Sequence, residues 1–192
     1  MEPTDSALVL GSSQAWTAAD ALACASGKVN VVRRRSGGGA VLVQPRGQLW
    51  VDFLLPAGDS LADDDVGRAT WWVGEAWAAA LHEVGLSSVG VWKGPMVRRP
   101  WSSLVCFALV GAGEVTGPAG GKIVGISQRR TRLGTLFQCS CLLRWQPEEL
   151  TALLALSTEE RARAGEELKG LAMAAPEGSG EQLLAALLAA LA

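Results

Sequence analysis

The chain is poor in the residues that build metal centres. His82 is its only histidine, and the four cysteines, Cys24, Cys106, Cys139 and Cys141, have no regular spacing. Cys139-Ser140-Cys141 is not a C-x-x-C pair, and a single histidine cannot complete a site around it, so no metal is expected. A chain of 192 residues that is 49% hydrophobic has no need of disulfide staples, and reduced thiols are the default. The opening MEPTDS has no basic leader region, and the apolar run after Gln182 is too short to span a bilayer, so the reading is a cytoplasmic protein with no membrane partner. No GKS or GKT follows the glycine-rich segment and G-x-G-x-x-G is lacking, which argues against the commonest phosphate-cradling loops. No internal repeat is present. The length suits one domain with a full core, followed by a tail.

The net charge of -2 conceals a segregation. Lys28 to Arg46 holds five basic residues and no acid, and Lys93 to Arg132 holds seven basic residues against Glu114 alone. From Asp52 to Glu83 the balance reverses, with seven acids against Arg68, and the residues after Glu148 are mainly acidic. Two electropositive stretches suit a phosphate-bearing ligand or an acidic partner protein. A long nucleic acid would call for a larger basic excess, so no nucleic-acid partner is expected.

Ala7 to Leu10 reads as a buried strand ended by Gly11, and Thr17 to Ser26 as a helix stopped by Gly27. Val29 to Val32 and Ala40 to Val43 are β-branched runs separated by Gly37, Gly38 and Gly39, and Gln48 to Leu55 reads as the returning strand of a hairpin that turns at Pro45-Arg46-Gly47. A long helix is expected after Ser60, with Val66, Ala69, Val73, Ala76, Ala80, Leu81 and Val84 at helical spacing and Asp63 to Asp65 favouring its N-terminal dipole. Strands follow at Val89 to Trp92, Leu104 to Val110, Lys122 to Ser127 and Thr135 to Leu143. The chain then becomes helical, at Pro147 to Leu156, Thr158 to Ala172 and Gly180 to Leu191, with residues 176–180 as a link. These elements predict an α+β fold, a mostly antiparallel mixed sheet flanked by helices. The expected division is a domain over residues 1–146 and a helical extension over 147–192.

Three consecutive glycines between strands cost backbone entropy, so they call for positive φ or close approach of a ligand to the main chain. A plain turn is the alternative. Arg33, Arg34 and Arg35 precede them, and strand alternation puts Arg33 and Arg35 on one face and Arg34 on the other. Lys122, between Gly121 and the run Ile123 to Ile126, places a cation at the mouth of an apolar strand, where an ammonium can neutralise a carboxylate or phosphate or polarise an acyl carbonyl. A surface lysine is the alternative there. Cys106 is read either as a nucleophile, activated by a nearby lysine, or as an ordinary buried thiol, and Cys139 and Cys141 as core residues.

Together, RRRSGGGAV at 33–41, GQLWVDF at 47–53, GKIVGISQRR at 121–130 and LFQCSCLL at 136–143 resemble, in that order, the lipoate-protein ligase and octanoyltransferase family. The likeness runs from about Val9 to Leu143 and implies the biotin/lipoyl protein ligase type of catalytic domain. It implies that Arg34, Arg35, Ser36, Gly37, Gly38 and Gly39 cover an acyl-adenylate, with Gly11 and Gln14 of the V-x-G-x-x-Q-like segment and Gly125 and Ser127 of the lysine strand lining the same pocket. Lys122 is then the catalytic residue, contacting the acyl carbonyl or phosphate. Cys106-Phe107 is similar to the Cys-Phe of cysteine-dependent octanoyltransferases, where the thiolate carries the acyl group as a thioester.

The implied activity is attachment of lipoate, through lipoyl-adenylate made with ATP and Mg, to a lysine of a lipoyl-carrier domain or a glycine-cleavage H-like protein. Arg129, Arg130 and Arg132 are candidates for steering that acidic acceptor, with a solvated face as the alternative. Family members usually have a further helix and strand before the V-x-G-x-x-Q-like segment, where only eight residues precede Val9 here, and ligases often carry a C-terminal accessory domain. Where they have His-Gly-Ser or His-Gly-Thr, this chain reads Gln138-Cys139-Ser140. The alternatives carried forward are therefore an octanoyltransferase acting through Cys106 and a non-catalytic binder or one chain of a two-part ligase, completed by an accessory ligase chain. A biotin ligase is the least favoured enzyme reading. Trp71, Trp72, Trp77, Trp92 and Trp101 are assigned no site role.

Overall fold

Leu8 and Leu10 alternate with Ala7 and Val9, and in the computed structural model, which describes residues 3–191, both leucines are fully buried at the centre of a small sheet. Met1 and Glu2 of the opening segment and Ala192 lie outside the described residues. The strand, β1 (Ala7–Leu10), pairs in parallel with β2 (Asn30–Arg33) and antiparallel with β3 (Val41–Val43). The expected hairpin over 29–55 is not formed. β3 joins β1 instead of β2, and β4 (Gln48–Pro56) leaves for a second sheet. The glycine loop thus connects the two flanking strands by passing the end of β1, where Ser12 N donates to Ser36 O at 2.9 Å.

The second sheet is antiparallel, in the order β4, β10 (Gly134–Leu142), β9 (Lys122–Thr131), β8 (Val115–Thr116), β5 (Gly90–Val91). Strand alternation sorts its faces. Phe137, Cys139 and Cys141 are buried in a core shared with α2 (Trp71–Glu83) and α5 (Gly180–Ala189), and Trp72 meets Phe53 and Phe137 edge-on at 5.7 and 5.5 Å. Gln138 and Ser140 fall on the opposite face, which looks across a cleft to residues of the small sheet. A two-stranded ribbon, β6 (Val97–Arg98) with β7 (Leu109–Val110), falls between β5 and β8 in sequence and borders the space between the two sheets.

Several elements are shorter than the sequence pattern predicts. The helix expected from Thr17 is a single tight turn at Trp16–Ala18 followed by α1 (Ala21–Ser26), because the Asp20 carboxylate caps at Ala23 N (3.0 Å) and Ala19 bridges to Leu154. The helix expected after Ser60 begins only at Trp71. Asp59, Asp63 and Asp65 each accept from main-chain amides two or three residues on, and such local bonds compete with helix. The strand expected at 104–110 is a turn and a tight helical turn, Cys106–Ala108, before β7. Helices α3 (Pro147–Thr151), α4 (Thr158–Leu168) and α5 each stop short of their expected ends.

Helices α3 and α4 and the segment between them pack Leu150, Leu154, Ala164 and Leu168 against the small sheet, while α5 packs Leu183 and Leu187 against the large one. Deleting the fully buried Leu187 side chain should cost about 2 to 5 kcal/mol. Leu188, 60% exposed on the next position, should cost no more than about 0.5 kcal/mol when changed to alanine. Urea unfolding checks this: Leu187→Ala lowers the midpoint at an unchanged slope and Leu188→Ala leaves it in place.

Candidate functional site

Between the small sheet with its glycine loop and the Gln138 and Ser140 face of the large sheet lies a cleft of about 870 Å³. Its floor is built by cross-strand rows: Trp50, Ser140 and Gly125 in one, Gln138 and Ser127 in the next. Its walls come from Val9, Val32, Val41 and the loop on one side, and from Met96, Phe107 and Leu109 on the other. Of the residues that the sequence singles out, Arg34, Arg35, Ser36, Gly37, Gly38, Cys106, Gly125 and Ser127 line this cleft. Gly11, Gln14, Gly39 and Lys122 do not; they lie behind its surface.

Those four act through the others. A Cβ at Gly11 would fall 1.8 Å from Gly38 O and one at Gly39 would fall 2.4 Å from Val105 N, so both glycines allow main chain to run against main chain. Gly38 has φ +94°, and Gly37 meets nothing, so the triplet serves one left-handed turn and one close approach. Gln14 accepts from Gly11 N (2.9 Å) and donates to the carbonyls of Ser103 and Leu104 (3.3 and 3.2 Å), stitching the end of β1 to the turn before Cys106.

The three arginines divide their work. Arg34 donates to the carbonyls of Val9, Gly37 and Gly39 at 3.1, 2.7 and 2.8 Å, so its guanidinium clamps the loop. Arg33 stacks 4.4 Å over the Trp16 ring. Arg35 and Arg98 are exposed at the cleft with no side-chain hydrogen bond or ion pair among the described residues, which leaves their guanidinium groups free to meet an anion. Arg130 holds the carbonyls of Asp63, Asp64 and Asp65, while Arg129 and Arg132 are exposed.

Lys122 is the first residue of β9 and is fully buried. Its ammonium donates to both carboxylate oxygens of Glu114 (2.8 and 2.9 Å) and to the carbonyls of Cys106 (3.2 Å) and Leu109 (2.9 Å), and it lies 5.0 Å from the centre of the Phe107 ring. A Cβ at Gly125 would sit 3.5 Å from Lys122 Nζ, so the ammonium lies directly behind a cleft residue that has no side chain to screen it. Glu114 is the functional candidate that the sequence reading missed. It was visible there as the single acid among seven bases, and a lone acid in such a stretch needs a partner. Trp50, Gln138 and Ser140 were also missed, although alternation about the core residues Cys139 and Cys141 puts Gln138 and Ser140 on the other face.

The hydroxyls of Ser36 and Ser140 are buried at the cleft without a partner among the described residues, so a polar ligand atom has two places to bond. Among the described residues there is no group of three or more His, Cys, Asp or Glu side chains placed to hold a metal ion, and no helix is long and apolar enough to cross a membrane. None of the five tryptophans left unassigned lines the cleft.

This architecture, two sheets meeting over a cleft closed by a glycine loop, is the fold of lipoate-protein ligase catalytic domains. It is similar to a chain of the bi-partite lipoate protein ligase and its E2 lipoyl domain from Thermoplasma acidophilum, with TM-score 0.74 and 20% identity over 97% of this chain and 66% of that one. It is also similar to lipoate-protein ligase A bound with ATP (TM-score 0.64, 19% identity, 97% and 68% covered) and to P. falciparum LipL1 in complex with lipoate (0.60, 15%, 97% and 44%). The chain thus spans about two thirds of the length of the first two and under half of the third. No curated protein sequence matches it. Residues 2–174 match the family described as lipoyl protein ligase A/B catalytic domain, and the chain belongs to that family.

Thiol accessibility tests this description of the site. Cys24, Cys139 and Cys141 are buried, and burial pushes the Cys139 thiol up to about 12 and the Cys141 thiol up as well, whereas Cys106 is half-buried at the cleft. Iodoacetamide at pH 8 should add one label to the folded protein, at Cys106, and label all four cysteines in denaturant. Intact mass with peptide mapping reads the count; a native label on Cys139 or Cys141 would contradict the buried placement.

Proposed function

We propose that this chain attaches lipoate, held as its adenylate, to a lysine of a lipoyl-carrier domain or glycine-cleavage H-like protein. The observation that carries the reading is the Lys122 ammonium lying behind Gly125 in a cleft of about 870 Å³ closed by the Arg-Ser-Gly-Gly-Gly loop, in a chain of this family. An acyl carbonyl set against Gly125 is polarised by the ammonium, and the main-chain loop held by Arg34 covers the acyl group. The acceptor amine attacks that carbonyl, the bond to the phosphate breaks, and AMP leaves. Arg35 and Arg98 supply charge for the phosphate, with ATP and Mg as co-substrates of the activating step. Residues 1–146 carry this chemistry and residues 147–192 buttress it. The site works in the cytoplasm, and an accessory ligase chain is the partner to add if the chain is silent alone.

One observation favours a second reading. Cys106 Sγ is 3.5 Å from where a Gly38 Cβ would stand, so the thiol reaches the cleft beside the loop. In that reading the thiolate attacks an octanoyl-carrier thioester, releasing the carrier thiol, and the acceptor lysine then takes the acyl group and frees Cys106.

Intact-mass analysis of a carrier domain incubated with the protein separates the readings. The ligase reading expects a lipoyl mass gain that requires ATP and Mg, falls at least about 100-fold in rate in Lys122→Ala, and survives in Cys106→Ala. Gain only from octanoyl-carrier, abolished in Cys106→Ala, would replace it with the transferase. No gain from either donor, with lipoate still bound in a direct titration, would leave a binding protein or one half of a two-chain ligase.

A further inference from the structure

Lys122 is neutralised before any ligand arrives. Its ammonium has three hydrogens and four acceptors around it, two of them Glu114 oxygens and two the main-chain carbonyls of Cys106 and Leu109. Glu114 itself is anchored: its oxygens accept from Gly111 N (2.7 Å) and Ile126 N (3.1 Å), and its side chain is only 6% exposed. A carboxylate held by two amides as well as by the lysine does not swing away to make room for another anion.

These contacts rank the ligand atoms that can reach the ammonium. A ligand carbonyl entering beside Gly125 replaces one neutral carbonyl, that of Cys106 or Leu109, and the net charge of the buried cluster is unchanged. A phosphate oxygen entering there would share the ammonium with the Glu114 carboxylate in a poorly solvated setting, where like charges repel strongly. The same cleft offers the phosphate two exposed arginines whose side chains have no partner among the described residues, Arg35 and Arg98.

We propose that Glu114 is a positioning and specificity-determining residue: it fixes Lys122 as a donor to the neutral acyl carbonyl and leaves the adenylate phosphate to the arginines of the cleft mouth. The inference rests on the lipoylation reading and goes beyond it, since that reading gives Glu114 no part in the site.

The experiment is a calorimetric titration of two probes, lipoamide, which is neutral, and a non-hydrolysable anionic lipoyl-adenylate analogue, into wild type and Glu114→Gln. The glutamine keeps the shape and removes the charge. The anionic probe should bind the variant about tenfold more tightly, lipoamide should change by less than about threefold, and acyl transfer should slow by at least about tenfold. A merely structural role for Glu114 predicts weaker binding of both probes, and that result overturns the proposal, as does an unchanged affinity for the anionic one. Glu114→Asp covers the case in which the glutamine variant does not fold. It keeps the charge but withdraws it, so its affinity for the anionic probe should stay within about threefold while transfer falls by at least about tenfold; transfer at the wild-type rate overturns the proposal. Wild type that binds neither probe sinks the lipoylation reading and this inference with it, whereas wild-type binding with the wrong response in the variants sinks the inference alone.

Discussion

The Glu114–Lys122 pair is the interaction around which the site is assembled. An ammonium removed from water has to find all its partners inside the protein, and this one finds them in three segments: the Cys106 turn, β7 and the loop before β8. The carboxylate adds Gly111 and β9 through its two amide bonds. Such a pair contributes little to stability on balance, because desolvating two charges offsets most of their attraction; losing one partner, however, costs about 3 to 5 kcal/mol. The consequence is specificity of arrangement. The turn that carries Cys106 and the strand that carries Gly125 cannot shift apart without leaving a buried charge unpaired.

The glycine loop is fixed by a different use of charge. Arg34 bonds three carbonyls, one from β1 and two from the loop, and the close passage of Gly11 beneath Gly38 leaves no room for the loop to settle inward. Arg35, one residue on, is left exposed, its side chain unpaired among the described residues. Adjacent arginines therefore do opposite work. Strand alternation would set Arg34 opposite Arg33 and Arg35, but β2 ends at Arg33, and which arginine meets the loop's own carbonyls depends on the path of the loop across β1.

That limit recurs through the fold. The α+β class, the burial of Cys139 and Cys141, and the β9–β10 pair were legible because the alternation in 122–142 is long and its two faces differ in polarity. The partners of β3 and β4 were not, since three apolar residues after a glycine loop have the same pattern whether they pair with the preceding strand or with an earlier one. The missing first half of the expected helix at 60–84 has a local cause: the aspartates read as favouring a helix dipole bond their own main chain instead. At the site, the family resemblance grouped the loop and the lysine around one ligand. The sequence marked Glu114 as a lone acid among bases but did not pair it with Lys122, because nothing in the spacing of residues 114 and 122 says that a bulged, two-residue β8 will fold the acid back onto the lysine.

The last dependence runs to the C-terminal segment. Lys122 N donates to Leu171 O at 2.9 Å and Lys122 O accepts from Met173 N at 3.0 Å, so the backbone at the lysine is held by residues that follow α4. Ala172 between them packs with Val41, Phe107 and Leu142, a small core that touches the strand after the glycine loop, the turn after Cys106 and the end of β10. The helices beyond Pro147 therefore do more than cover the two sheets. They deliver a short extended segment to the point where the small sheet, the large sheet and the Cys106 turn converge. The lysine emerges there with both its main chain and its side chain fixed, by elements far apart in sequence.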